Sequence, residues 1–117
     1  MISKDEIKGL VTQVFDEAVR LRRLFHENPE LGYEERHTSK VIADYLSENG
    51  IEVITGIAET GVIGILRGYK PGPVIALRSD MDALPIQEQT AAPFSSKKPN
   101  VMHACGHDMH MAMLLGA

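Results

Sequence analysis

The sequence predicts an α/β layered domain, and three observations indicate it. Two amphipathic helices come first, with apolar residues at steps of three and four. After Gly50 the pattern changes to short apolar runs separated by Gly and Pro, which is typical of strands and turns. The chain then ends in a segment that is apolar on all sides. Helices, then strands, then another helix indicate an α/β domain, and 117 residues are enough for one domain.

The first helix is predicted to begin after Ser3, which forms a capping box with Glu6. Pro29 ends it, because the residue before a proline disfavours helical backbone. A second helix is expected over residues 34–49, and Gly50 follows where a left-handed backbone is common. The apolar face of the first helix comprises Ile7, Leu10, Val11, Val14, Phe15, Ala18, Leu21, Leu24 and Phe25.

Three short strands are expected, over residues 51–55, 62–66 and 74–77. The third is nearly all apolar, which is the pattern of a strand covered on both faces of a sheet. Residues 86–101 contain two prolines and few large apolar side chains, which predicts an irregular segment. Residues 109–115 predict a buried helix. Because the chain ends about two turns into that helix, we expect the domain to be incomplete.

The composition argues against several classes of function. The net charge is −4 and the isoelectric point is near 5.7, so no basic surface is expected for nucleic acid. No apolar run approaches the length that spans a bilayer. The single cysteine cannot form an internal disulfide, so nothing suggests an oxidising compartment. We therefore expect a cytoplasmic protein with neither nucleic-acid nor membrane partners.

The strongest chemical signal is a cluster of three histidines and the only cysteine within eight residues, namely His103, Cys105, His107 and His110. Imidazole and thiolate are good ligands for zinc-like ions. If this segment is extended, Cys105 and His107 project to the same side about 6.6 Å apart. That spacing suits one metal ion, or two ions that share a bridging group. We prefer this pair, and Gly106 between its members permits a sharp bend.

Two other pairings stay open. His103 and His107 have the four-residue step of a helical zinc site, but Ala104 stands where such a site has its glutamate. His107 and His110 could face each other on a helix that begins near His107. The three histidines together with Cys105 could also form a closed structural site, since such a site needs four protein ligands.

A second cluster of polar residues follows the predicted third strand directly. Asp80 and Asp82 lie at the carboxyl end of that strand, where open α/β sheets bind their ligands. Carboxylates at such a place can bridge metal ions, or can orient a ligand imidazole by a hydrogen bond. Residues 26–35, by contrast, predict a mainly structural helix exit and the acidic start of the next helix.

Together these motifs resemble the amidohydrolase branch of the aminoacylase/carboxypeptidase metallopeptidase family. This branch includes hippurate hydrolases, N-acyl-amino-acid amidohydrolases and auxin-conjugate hydrolases. The similar stretches run in family order over almost the whole chain, at residues 26–35, 61–64, 78–86 and 102–110. The resemblance implies a layered α/β/α sandwich with a mixed sheet, in which residues 1–117 are the N-terminal portion of a di-metal hydrolase catalytic domain.

The resemblance also implies that Cys105 and His107 are ligands in a site for two divalent metal ions. Zinc or manganese is expected ahead of cobalt and nickel. Asp82 matches the aspartate that orients a metal-binding histidine in sister branches, and it is the one catalytic residue expected in this chain. Asp80 stands where that histidine would be, so no ligand role is carried over to it. A glutamate pair that includes the general base, two more histidine ligands and a lid domain lie in parts of the family beyond these residues.

The expected function is hydrolysis of the amide bond of a small N-acyl amino acid or peptide-like substrate. Because the general base falls outside the matching stretches, the 117 residues alone are expected to be inactive. The full-length protein is expected to form a homodimer. The alternative is a non-catalytic metal-binding domain that uses His103, Cys105, His107 and His110 for folding.

Overall fold

The computed structural model describes residues 2–117, and that range contains three helices and one two-stranded sheet. The elements in chain order are α1 (Lys4–Glu27), α2 (Arg36–Glu48), β1 (Glu52–Ile57), β2 (Gly61–Ile65) and α3 (His107–Gly116). This arrangement confirms the α/β class predicted from the sequence. Within the described range, no helix has the length and apolar character needed to cross a membrane.

Helix α1 begins with the predicted capping box. The Ser3 backbone N–H donates to Glu6 Oε2 (2.7 Å), and the Glu6 N–H donates to Ser3 Oγ (3.2 Å). The apolar face of the helix is covered only in its C-terminal half, where Leu21 and Phe25 are buried. In the N-terminal half it lies at the surface, with exposed side chains at Ile7, Leu10, Val11, Val14 and Phe15.

Helix α2 starts at Arg36 rather than at residue 34, and a distant carboxylate caps it. The N-cap residue Glu35 makes no side-chain capping hydrogen bond. Instead, Glu30 Oε1 accepts from the His37 N–H (3.1 Å) and Glu30 Oε2 accepts from the Thr38 N–H (2.7 Å). Burial acts to raise the pKa of Glu30, but donation from Thr38 and His37 outweighs it and holds that pKa below its usual value. The ionised carboxylate thus binds two otherwise unpaired N–H groups of the first turn.

Strands β1 and β2 form an antiparallel hairpin. The register shifts between Thr55 and Ile57, and Gly56 at this bulge has a φ of 78°. Glycine adopts that left-handed backbone without the steric cost of a side chain. The hairpin turn is tied to the start of α2, because the Thr60 hydroxyl donates to Glu35 Oε2 (2.8 Å) in a buried contact.

The predicted third strand over residues 74–77 does not form, so this prediction is wrong for the structure. Val74, Ile75 and Leu77 are 97%, 82% and 69% exposed. The sheet of the described residues contains only β1 and β2, so no neighbouring strand supplies hydrogen-bond partners or covers the apolar side chains. Backbone pairing resumes beyond this segment, where the Ala83 N–H donates to the Glu30 carbonyl (2.7 Å).

The packing of α3 against α1 forms most of the core. Helix α3 begins at His107, two residues before the predicted start, and it is only partly buried rather than buried on all sides. Met109 and Met113 remain largely exposed. The buried apolar cluster consists of Leu21, Phe25, Ile42, Met111 and Ala112.

The Glu30 cap predicts a pH-dependent stability. Glu30→Gln mimics the protonated carboxyl, and we expect it to lower the free energy of unfolding at pH 7 by about 1 kcal/mol, the usual worth of a helix cap. Because the folded-state pKa lies below the unfolded value of 4.5, the stabilisation is complete above pH 4.5 and is lost as the pH falls through the folded-state pKa. Urea unfolding of both proteins at several pH values measures this.

The matched control is Glu34→Gln, since Glu34 is exposed and its carboxylate has no hydrogen-bond partner among residues 2–117. It should unfold like the wild type at every pH. The free energy of unfolding of Glu30→Gln should approach that of the wild type as the pH falls. If the difference between the two stays constant down to pH 3, the assigned role of the carboxylate is contradicted.

Candidate metal centre

The two polar clusters of the sequence meet at Asp82. Cys105 Sγ lies 3.7 Å from the backbone oxygen of Asp82. The same oxygen lies 2.9 Å from His107 Nδ1, and Asp82 Oδ1 lies 3.1 Å from that nitrogen. An antiparallel bridge between Leu84 and Met102 joins the two segments next to this contact. The fold therefore brings together Asp82, Cys105 and His107, the three site residues singled out from the sequence.

Cys105 lies in a turn and not in the extended segment on which the expected 6.6 Å spacing depends. Residues 104–106 turn sharply, and Gly106 has a φ of 88°, a left-handed conformation that favours glycine. Gly106 is also the N-cap of α3, so His107 is the first residue of that helix. Cys105 and His107 are neighbours because both contact Asp82, and not because side chains alternate along a strand.

Asp82 determines which nitrogen of His107 carries the proton. A backbone carbonyl can only accept a hydrogen bond, so the ring nitrogen that faces it, Nδ1, is the donor. In the neutral ring the lone pair is then on Nε2, which lies 4.0 Å from Asp80 Oδ2. Arg78 Nη2 donates to the other carboxylate oxygen of Asp80 (2.7 Å). The hydrogen bond from Nδ1 to the Asp82 carboxylate is of the kind that orients histidine ligands in metal sites.

The donor atoms at this place suit a divalent metal ion in part. The exposed thiol of Cys105, the free Nε2 of His107 and the Asp80 carboxylate are of the types that bind zinc-like ions. Among the described residues, however, no three or more His, Cys, Asp or Glu side chains are arranged to hold one ion. A complete centre would need additional ligands.

His103 and His110 do not join this pair. His103 is 3% exposed, and neither of its ring nitrogens has a hydrogen-bond partner in the described residues. Burial lowers the pKa of His103, although the Asp108 carboxylate acts in the opposite direction. His110 is exposed on α3, with its ring centre 6.0 Å from that of His107. The closed four-ligand site considered from the sequence is therefore not assembled in this structure.

A buried polar cluster lies one residue beyond His107. Asp108 Oδ2 lies 2.7 Å from His26 Nδ1 and 2.9 Å from Arg22 Nε. The opposite ring nitrogen, His26 Nε2, lies 3.0 Å from Glu88 Oε1. The planar guanidinium of Arg22 also lies over the ring of Phe94, 4.8 Å from its centre. We refer to Arg22, His26, Glu88 and Asp108 as the polar cluster.

Glu88 connects the irregular segment over residues 86–101 to this cluster. Burial acts to raise the pKa of Glu88, but hydrogen bonds from the Ser96 N–H, the Thr90 hydroxyl and His26 lower it to about 2. The carboxylate is thus held in its ionised form. The prediction that residues 86–101 lack regular secondary structure is confirmed, and Glu88 is one of the contacts that fix this segment on α1.

The polar cluster and Cys105 line one cavity of about 490 Å³, together with Phe94 and His103. Sequence reasoning missed most of this arrangement. His26 was expected to be part of a helix exit, and Glu88 carried no signal because its contact with His26 joins residues 62 positions apart. Asp108 is the one member of the polar cluster that the sequence indicates, because it lies next to His107 inside the 102–110 motif.

Comparison with known proteins gives one family and a consistent set of relatives. Residues 76–117 match the sequence profile of peptidase family M20/M25/M40. "Thermostable carboxypeptidase 2" of Saccharolobus solfataricus is 51% identical over 113 residues, covering 96% of this chain and 29% of that protein. "N-acyl-L-amino acid amidohydrolase" of Geobacillus stearothermophilus is 46% identical over 98% of this chain and 31% of its own length. The chain thus spans under a third of the curated relatives it matches.

The same relationship holds among solved structures. The crystal structure of Bacillus subtilis YXEP, described as a dinuclear metal-binding peptidase of the M20 family, superposes with a TM-score of 0.82 at 47% identity. The match covers 92% of this chain and 30% of that one. A "Hippurate hydrolase" of Campylobacter jejuni is 50% identical over 92% of this chain and 29% of that protein. These matches relate the chain, over almost its whole length, to the N-terminal part of the amidohydrolases of peptidase family M20/M25/M40.

Proposed function

We propose that this chain supplies part of the catalytic centre of a metal-dependent hydrolase that cleaves the amide bond of N-acyl amino acids. The observation that carries the proposal is the convergence of Cys105 and His107 on Asp82, which leaves His107 Nε2 free to bind a metal ion. The names of the relatives, which include an N-acyl-L-amino acid amidohydrolase and a hippurate hydrolase, support the substrate class. The products would be an amino acid and a carboxylic acid.

Each of the three residues has a distinct task in this proposal. Cys105, as thiolate, and His107, through Nε2, would hold a metal ion. Asp82 would keep the proton on Nδ1 of His107 and hold the ring in place, which makes Nε2 a better ligand. Two divalent ions, with zinc or manganese preferred over cobalt or nickel, would supply polarisation of the amide carbonyl and a lowered pKa of an attacking water. The dinuclear description of the B. subtilis relative supports two ions.

We further propose that the complete centre, and the fold around it, need residues beyond these 117. The general base of the family has no matching position here, and the chain covers about 30% of its relatives. The exposed apolar residues at 74–77 and on the N-terminal half of α1 would be covered in a complete α/β/α sandwich with a mixed sheet. In this proposal residues 1–117 belong to the catalytic domain of a cytoplasmic homodimer.

Metal binding should depend on Cys105 and His107 but not on His110. We expect Cys105→Ala and His107→Ala each to weaken Zn²⁺ binding at least about tenfold, because each removes one of the few ligands of an open site. The matched control is His110→Ala, which removes an exposed imidazole of the same helix. Competition against a chromophoric chelator measures the affinity, and circular dichroism measures the helix content.

The same variants test the structural alternative. In an open site, Cys105→Ala should keep its helix content after the loss of metal. Unfolding of Cys105→Ala, or a loss of affinity in His110→Ala as large as that in His107→Ala, would support the closed four-ligand site and contradict the proposed hydrolase centre.

The 117-residue chain should not turn over substrate. With Zn²⁺ or Mn²⁺ present, we expect no release of amino acid from hippurate or N-acetyl amino acids above the metal-only rate, because the carboxylate that would take the proton of the water is not among its matched motifs. A ninhydrin-type assay for free amino acid measures the release. Robust turnover by these residues alone would contradict the proposal that the general base lies outside them.

A further inference from the structure

His26 is a buried imidazole held between two carboxylates. Its Nδ1 lies 2.7 Å from Asp108 Oδ2 and its Nε2 lies 3.0 Å from Glu88 Oε1. All three side chains are buried: His26 is 5% exposed, Asp108 1% and Glu88 3%. Since a carboxylate accepts hydrogen bonds, the ring can satisfy both contacts by donating from each nitrogen. Arg22 adds a second basic group at Asp108, which balances the buried negative charge.

The first turn of α3 has no side-chain cap, and Asp108 of the polar cluster connects this turn to α1. The N-cap of α3 is Gly106, which has no side chain to cap the first turn. Asp108 is in that first turn, but its Oδ2 contacts Arg22 and His26 of α1. The residue before it is His107. A change in the position of Asp108 would therefore also move the backbone that carries His107.

The apolar core joins the same two helices in a different way. Leu21 and Phe25 of α1 pack with Met111 and Ala112 of α3. This packing stabilises the helix pair without a strong directional preference. Hydrogen bonds are directional, so the contact between His26 and Asp108 restricts where the first turn of α3 lies along α1. On the opposite side, Asp82 holds the ring of His107.

We propose that His26 is a positioning residue of the metal centre. By holding Asp108 from α1 and Glu88 from the 86–101 segment, it sets the position of His107 relative to Asp82 and Cys105. This inference rests on the proposed metal-dependent function. His26 does not bind the metal ion in this proposal, and its effect on metal binding passes through Asp108.

The test is Co²⁺ binding to the longer protein that the proposed function requires, followed by the near-ultraviolet absorption that a cysteine thiolate gives when it binds cobalt. We expect His26→Gln to weaken Co²⁺ binding about tenfold, as removal of an outer partner of a metal ligand does. We expect Asp108→Asn to weaken Co²⁺ binding as well. Both substitutions act on the same contact, the one between His26 and Asp108. The double variant should therefore lose no more affinity for Co²⁺ than the weaker-binding single variant does. The control is His37→Gln, which removes an exposed histidine without a side-chain hydrogen bond in the described residues and should bind as the wild type does.

Circular dichroism and urea unfolding separate positioning from stability. A purely structural role would lower the urea midpoint of His26→Gln but leave the affinity of the folded protein unchanged, and this result overturns the inference. If His26→Gln does not fold, Glu88→Ala removes the contact with His26 Nε2 without touching α3, and wild-type affinity in that variant also overturns the inference. If the losses of Co²⁺ affinity in the two single variants add up in the double variant, the inference is also overturned.

The wild-type titration distinguishes this inference from the proposed function. Absence of the thiolate–cobalt absorption in the wild type overturns both. Presence of that absorption in the wild type, with equal affinity in the folded His26 variant, overturns only the positioning role of His26.

Discussion

The hydrogen bonds from His107 Nδ1 to the backbone and side-chain oxygens of Asp82 join two segments that lie 25 residues apart in the chain. The backbone bridge between Leu84 and Met102 continues the same junction. This junction holds the turn that carries Cys105 and the start of α3 next to the Asp80–Asp82 segment. The tautomer of His107, the direction of its free nitrogen and the proximity of the thiol all follow from this junction.

Helix α1 supports the junction from behind with two kinds of contact. Its apolar residues Leu21 and Phe25 pack on α3, and its polar residues Arg22 and His26 contact Asp108. The apolar contacts supply most of the stability, since buried side chains of this size each contribute about 1.5–3 kcal/mol. The polar contacts add directional constraints, and they are sheltered from water, where loss of one partner would leave a charged group unpaired.

Local features of the fold were predictable from the sequence, whereas features that depend on distant neighbours were not. The Ser3–Glu6 capping box and the hairpin strands depend on nearby residues, and both were found as expected. The strand predicted over residues 74–77 requires a neighbouring strand, which the described residues do not provide. For the candidate site, the motif identified Cys105 and His107, but the role of His26 depends on a contact across 82 positions that no local pattern encodes.

The most direct test of the central claim is X-ray absorption at the zinc edge of the longer protein that the proposed function requires, loaded with one equivalent of Zn²⁺. We expect one sulfur scatterer at about 2.3 Å, together with the outer-shell pattern of an imidazole bound through a single nitrogen. The sulfur signal should vanish in Cys105→Ala. A zinc environment of oxygen and nitrogen alone in the wild type would contradict the assignment of Cys105 and His107 as a metal-binding pair.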